Sequence, residues 1–156
     1  VSRIEPHRRL QFVNLTRQSP LPLGELGVLG ELVLRHNRPQ KGWQVRIILV
    51  PESEIISLNR RFFKRDNSTD VISFNLTPAD SELLEGEVYI CLDTANRQAQ
   101  EYGVTLAEEM QRLTAHGLYH LLGYEDGDAA QKQIMTALED DAMARLRAYS
   151  RGERPV

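Results

Sequence analysis

One cysteine in 156 residues leaves Cys91 with nothing to pair with, so no internal disulfide staples this chain. Cys91 lies in an apolar run with no neighbour in sequence that would lower its pKa. It reads as a small core residue rather than a nucleophile, and it fits a reducing, cytoplasmic setting. Long hydrophobic runs are missing as well. The longest, Ile47 to Val50 and Val88 to Leu92, fall far short of the ~20 residues a membrane-spanning helix needs. No charged segment followed by an apolar one opens the chain, so no secretory signal is expected. Internal repeats and low-complexity tracts are absent. What remains is 41% apolar and 26% charged, the mixture of a soluble globular protein. Residues 1–156 are expected to form a single domain able to bury its own core, with about 150–156 as a frayed tail.

The net charge of -3 conceals a split. Residues 1–66 carry 12 Lys and Arg against 6 Asp and Glu, while residues 67–156 carry 7 against 16. The basic residues gather as Arg8 and Arg9, as Arg35, Arg38 and Lys41, and as Arg60, Arg61, Lys64 and Arg65. Taken alone, such clusters read first as solvated faces. A basic surface on an acidic body also suits phosphate contacts with a nucleic acid.

Pattern and punctuation predict about four strands and five helices that do not strictly alternate, an α+β arrangement with a mixed sheet. Strands are expected at Gln11–Leu15, Trp43–Val50, from Val71 in VISFNL, and at Glu87–Leu92. SPLPLGE, from Ser19, marks the start of a first helix that Arg38-Pro39 stops, with Leu23, Leu26, Leu29 or Gly30, and Val33 at helical spacing. A second runs from Ser53 with Ile56, Leu58 or Asn59, and Phe62 or Phe63 on its apolar side. RDNSTD and PADSELLEG read as loops, the second ending at Gly86. A third helix spans Asp93–Gln100 before Gly103. Thr105 caps a fourth that runs to Leu122, with Glu108 placed to complete a capping box. A fifth runs from about Asp128 to Tyr149, with Ile134, Leu138, Ala142 and Leu146 facing inward.

The chemistry concentrates in TAHGLYHLLGYEDGD, residues 114–128. His116 and His120, four apart, share one helix face, the geometry that delivers two imidazoles to one metal. Such a pair arises often by chance as partly buried, satisfied histidines. The added signal is Gly123, suited to a left-handed helix stop, followed at once by acids that can fold back over that face. Asp126 is the natural third ligand. Glu125 is a weaker candidate, as is Asp128, which suits an N-cap. His7 and His36, in basic loop or terminal settings, read as solvated. A metallopeptidase of the HExxH type needs a glutamate after the first histidine as general base; Gly117 stands there, so peptide hydrolysis by that route lacks its base.

HGLYHLLGY with the step to Asp126 resembles the HGxLHLxGYDH signature of the YbeY family of bacterial metal-dependent endoribonucleases, linked to ribosomal RNA maturation. LNRRFFKRDNSTDVISF (Leu58 to Phe74) is similar to that family's LNxxYRxxDxxTDVLSF, EGEVYIC to its GDIxIC, and Met135 to its later methionine. The matches run in order over roughly residues 55–145. The resemblance places His116 and His120 on the first two metal histidines and Asp126 on the third. Zinc accepts aspartate oxygen there, though the extra negative charge should leave bound water less acidic. The family's arginine falls on Phe63, so its role would pass to a nearby base, with Arg65 favoured and Lys64, Arg60 and Arg61 as others. Thr69, Asp70 and Ser73 match as well; for Thr69 and Asp70 a structural turn is at least as good a reading as a catalytic one.

The resemblance therefore implies a Zn²⁺-dependent, single-strand-specific endoribonuclease, with precursor ribosomal RNA and the ribosome or its associated proteins as partners. The metal would acidify water and polarise a phosphodiester oxygen, and Arg65 or Lys64 would steady phosphate charge. Arg60, Arg61, Lys64 and Arg65 would track the RNA. A rival reading is a non-catalytic, ribosome-associated RNA-binding protein with a structural metal. A third, iron held by two histidines and a carboxylate for oxygen chemistry, rests on ligand types alone.

Overall fold

Aliphatic side chains alternate along Trp43–Val50 and then fill both faces. Val45, Ile47 and Leu49 enter one core and Ile48 and Val50 another, all of them buried. Such a strand belongs in the middle of a sheet covered on both sides. That is its place in the computed structural model, which describes residues 4–153. This strand, β2 (Trp43–Val50), is flanked in parallel by β1 (Arg8–Asn14) and β4 (Leu84–Cys91). The short β3 (Val71–Asn75) runs antiparallel to β4, giving the order β1-β2-β4-β3 with β3 on an edge. The helices are α1 (Leu23–Asn37), α2 (Glu52–Phe63), α3 (Leu92–Tyr102), α4 (Leu106–Leu121) and α5 (Ala129–Ser150). The fold is α+β, with a four-stranded mixed sheet and five helices. No helix among the described residues is long and apolar enough to cross a membrane.

The larger core joins Val45, Ile47, Leu49, Val88 and Ile90 of the sheet to α1, α3, α4 and α5. The smaller one lies on the other face, where Ile55 and Leu58 of α2 cover Ile48, Val50, Ile72 and Cys91. Cys91 is thus a core residue, its sulfur accepting from the Thr94 hydroxyl at 3.3 Å.

Several boundaries and faces differ from those expected. The first helix starts at Leu23 behind Pro22, beyond the Ser19 signal, with no side-chain cap. β4 begins at Leu84 rather than Glu87, and the Gly86 expected to end a loop is a strand residue. It sits where the end of α4 comes close, since a Cβ there would lie 2.8 Å from both methyls of Leu121. In α2 the buried positions are Ile55, Leu58 and Asn59; Phe62 and Phe63 stay 55% and 48% exposed. Their rings lie instead on Phe74 of the edge strand, beyond the small core. In α5 the inward face is shifted: Met135, Glu139, Ala142, Met143 and Leu146 are buried, while Ile134 is exposed. Of the tail expected to fray, Arg151 to Glu153 turn back with hydrogen bonds to Arg147, Ala148 and Tyr149, and 154–156 lie outside the described residues.

Gly117 brings α4 onto the sheet. A Cβ at that position would sit 2.4 Å from Cγ1 of Val88 and 3.2 Å from Cγ2 of Val71. The Ser73 hydroxyl donates to the Gly117 carbonyl at 2.9 Å, and the Asn75 amide to the Leu121 carbonyl at 3.3 Å. Edge strand β3 therefore lies alongside the histidine-bearing half of α4.

Candidate metal centre

The framework of the site is set by how two helices end and begin. Thr105 caps α4, accepting from the Glu108 backbone N–H at 3.1 Å. The expected capping box closes only halfway there, because the Glu108 carboxylate takes the Thr105 hydroxyl instead of its backbone N–H. At the other end Gly123, with φ +102, reverses the chain. Its N–H reaches the His120 carbonyl, and the Tyr124 N–H reaches the Tyr119 carbonyl, both at 3.0 Å, which together form a Schellman closure. The full capping box forms at the start of α5, between Asp128 and Gln131. Asp128 is thereby engaged as a cap, and Glu125 is exposed. Asp126, between them, folds back over α4.

There its Oδ2 lies 3.1 Å from His116 Nε2 and 3.5 Å from His120 Nε2, and the two Nε2 atoms are 2.9 Å apart. The far nitrogen of each ring is engaged: His116 Nδ1 with the Glu139 carboxylate at 2.6 Å, His120 Nδ1 with the Tyr124 carbonyl at 2.9 Å. A carbonyl and a carboxylate oxygen accept, so each Nδ1 is the donor nitrogen and each Nε2 is the one turned inward, placed to offer a lone pair to a metal. Two imidazole nitrogens and a carboxylate oxygen thus converge on one point, where a positive charge would be stabilised. A tetrahedral ion with bonds of about 2.0–2.1 Å holds its donors roughly 3.3 Å apart, inside the range found here. The three side chains fit such an ion.

A second layer holds the first. Glu139 is buried and receives Arg112 Nη1 at 2.9 Å, while Arg112 Nη2 reaches Asp140 at 2.7 Å. Burial pulls the pKa of His116 down. The bond to Glu139 and the charges of Glu139, Asp126 and Asp70 outweigh it, and the net shift is upward. Glu109, one turn before Arg112 and only 3% exposed, has its pKa raised by burial and then by the charge of Asp70. Asp70 itself is held in a turn, one oxygen on the Val71 N–H and the other on Gln98.

A cleft of about 520 Å³ opens at His120 and Asp126 and runs along β3. Phe63, Arg65, Thr69, Ser73 and Tyr124 line it together with His120 and Asp126. Of the basic residues singled out in the sequence, Arg65 alone lines this cleft. Lys64 is exposed beside it in a left-handed turn with φ 54. Arg60 is paired with Asp66 at 2.6 Å, and Arg61 lies over the Phe62 ring. In the other clusters Arg8, Arg35 and Arg38 are engaged. Arg8 donates to the carbonyls of Lys41, Arg38 and Pro39 and lies over Trp43, and Arg38 donates to the carbonyls of Gly42 and Glu82. Arg35 pairs with Glu31. His7 contacts Gln44 and His36 contacts Arg145, both histidines exposed.

Sequence reasoning missed Glu139 and Arg112. An available signal was the run Met135, Glu139, Ala142, Leu146, which places one acid at core spacing and so requires a buried partner.

A family model described as endoribonuclease YbeY matches residues 27–147. Curated proteins with that same name are among the relatives. The one from Endomicrobium trichonymphae is 37% identical over 131 residues, covering 84% of this chain and 88% of its own. The one from Chloroherpeton thalassium is 34% identical over 135 residues, covering 86% and 94%. The one from Myxococcus xanthus is 44% identical over 108 residues, 65% of this chain but only 36% of that longer protein. A solution structure of a Thermotoga maritima protein matches with a TM-score of 0.65 at 26% identity, covering 92% of this chain and 93% of that one.

Proposed function

This chain belongs to the YbeY family of endoribonucleases, and from that premise we propose that it is a Zn²⁺-dependent endoribonuclease that cuts single-stranded RNA. Its setting in this reading is the cytoplasm, its substrates are ribosomal RNA precursors, and its partners are the ribosomal subunit or proteins bound to it, in maturation and quality control. One observation carries the catalytic part: two imidazole Nε2 atoms and a carboxylate oxygen converge at the end of a cleft that also holds Arg65.

His116, His120 and Asp126 would hold the ion, and an N₂O donor set suits zinc. The bound ion supplies Lewis-acid polarisation of phosphate and acidifies water. The chain's own groups do the rest. Glu139 and the Tyr124 carbonyl hold both rings in the Nδ1–H tautomer, and Arg112 keeps Glu139 in place. Arg65, with no carboxylate partner among the described residues, is available for the negative charge that builds on the phosphoryl oxygens. Lys64, beside the cleft rather than in it, serves RNA contact along with Arg60 and Arg61. Position 117 has no room for a peptidase-type glutamate, because even a Cβ collides with Val88.

The test pairs metal content by mass spectrometry with cleavage of an end-labelled single-stranded RNA, for the wild type, Asp126→Ala and Glu125→Ala. The expected result is near-stoichiometric zinc and strand cleavage in the wild type and Glu125→Ala, with both lost in Asp126→Ala. Equal occupancy in the two variants would sink the ligand assignment. RNA binding without cleavage by the zinc-loaded protein, together with unfolding on chelation, would favour a structural metal in a binding protein.

A further inference from the structure

On the reading that the substrate is an RNA strand, on which this inference rests, we propose that Phe63 is a stacking platform for an unpaired base in the cleft that ends at the metal trio. The observation behind it is a ring out of place. Phe63 closes α2, yet it misses the small core and remains 48% exposed on the cleft wall. It is nonetheless backed by another ring, lying 6.1 Å from that of Phe74 at 19°. Phe74 is in turn met edge-on by Phe62 at 5.0 Å and by Tyr89 at 5.8 Å. A ring backed by another ring and exposed to water is a flat apolar surface that has little freedom to lose when it is covered.

The rest of the cleft defines what would cover it. Arg65, two residues on, offers a guanidinium for a phosphate, and Asn67, Thr69 and Ser73 offer polar groups. Its floor includes β3, which pairs only with β4 and so has one backbone edge unpaired within the sheet. A ligand matching an aromatic face, a cation and a row of hydrogen-bonding groups has flat rings with polar edges joined by phosphates. An unstacked nucleotide strand has that chemistry. A duplex does not, because its bases already cover one another. Phe63 is then a specificity determinant that favours single strands, and Arg65 is the anchor for the phosphate beside the stacked base.

The experiment measures fluorescence anisotropy of the metal-loaded full chain at 4 °C. The probes are a labelled single-stranded RNA and the same strand with abasic sites at its centre, and strand integrity is checked afterwards on a gel. Wild type should prefer the base-bearing strand by roughly 5- to 100-fold, the range of one base–aromatic stack. Phe63→Ala should lower that preference about fivefold or more while leaving affinity for the abasic strand unchanged, and Phe63→Tyr should retain it. Phe63→Ala weakening both strands equally, or altering neither, overturns the proposal. If the wild type cuts RNA while Phe63→Ala keeps its full preference, the stacking role alone is lost. If the wild type binds neither strand, the RNA reading falls and this inference with it.

Discussion

At the residue scale the site depends on oxygens that touch no metal. Glu139 fixes the tautomer of His116 and is itself neutralised by Arg112, so the imidazole cannot rotate without breaking a part-buried 2.6 Å bond. Glu139→Gln keeps the shape but removes the charge. It should lower zinc affinity roughly 10- to 100-fold, read by competition with a chelating dye, while the fold survives. Unchanged affinity would mean that His116 is oriented by the helix alone. Glu109 is a different case, a buried carboxyl whose bound proton is favoured by folding. Its folded pKa lies above the unfolded one, so the folded state binds more protons. Stability is therefore lost as pH rises from the unfolded carboxylate pKa through the raised folded value. Glu109→Gln should remove that loss. The variant's advantage over wild type in urea unfolding should then be larger at pH 7 than at pH 4.

At the scale of the element, α4 is a largely buried helix, pressed onto the sheet along one side and packed against α1, α3 and α5 around the rest. Gly117 faces Val88 and Val71, His116 faces Glu139 of α5, and His120 lines the cleft. Gly117→Ala should force the helix off β3 and β4, at a cost of about 1–3 kcal/mol, read as a lower denaturant midpoint with an unchanged slope. Because Ser73 and Asn75 donate to carbonyls of the same helix half, the shift should also weaken zinc binding. A variant with lowered stability but full metal affinity would show that the histidine face is insulated from the sheet beneath it.

At the scale of the whole molecule, the basic first half of the chain does not become one uniform surface. Arg8, Arg35 and Arg38 are engaged by carbonyls, Glu31 and Trp43, whereas Arg60, Arg61, Lys64 and Arg65 surround the end of α2 beside the cleft. Replacing these last four together should weaken RNA binding and flatten its salt dependence, by about 0.7 in the log–log slope for each RNA phosphate that is no longer neutralised. Arg60 contributes least, being paired with Asp66. A slope equal to that of wild type would make the cluster a solvated face.

Spacing and punctuation determined a good deal by themselves. The i, i+4 histidines, the left-handed stop at Gly123 and the Asp128 cap are local events governed by backbone geometry over a few residues, and each was legible in TAHGLYHLLGYEDGD. So was β2, whose aliphatic run admits one reading. The tertiary structure decided whatever depends on distant partners. Glu139 is 23 residues from His116 in sequence, and only the packing of α5 on α4 brings them together. The same holds for Arg8 and Arg38, which carbonyls and a ring far along the chain engage. Phe62 and Phe63 look like core residues in an amphipathic pattern, yet they lie outside it with their rings on Phe74 of the edge strand. A residue's period along a helix tells which way it points; what waits there is a property of the fold.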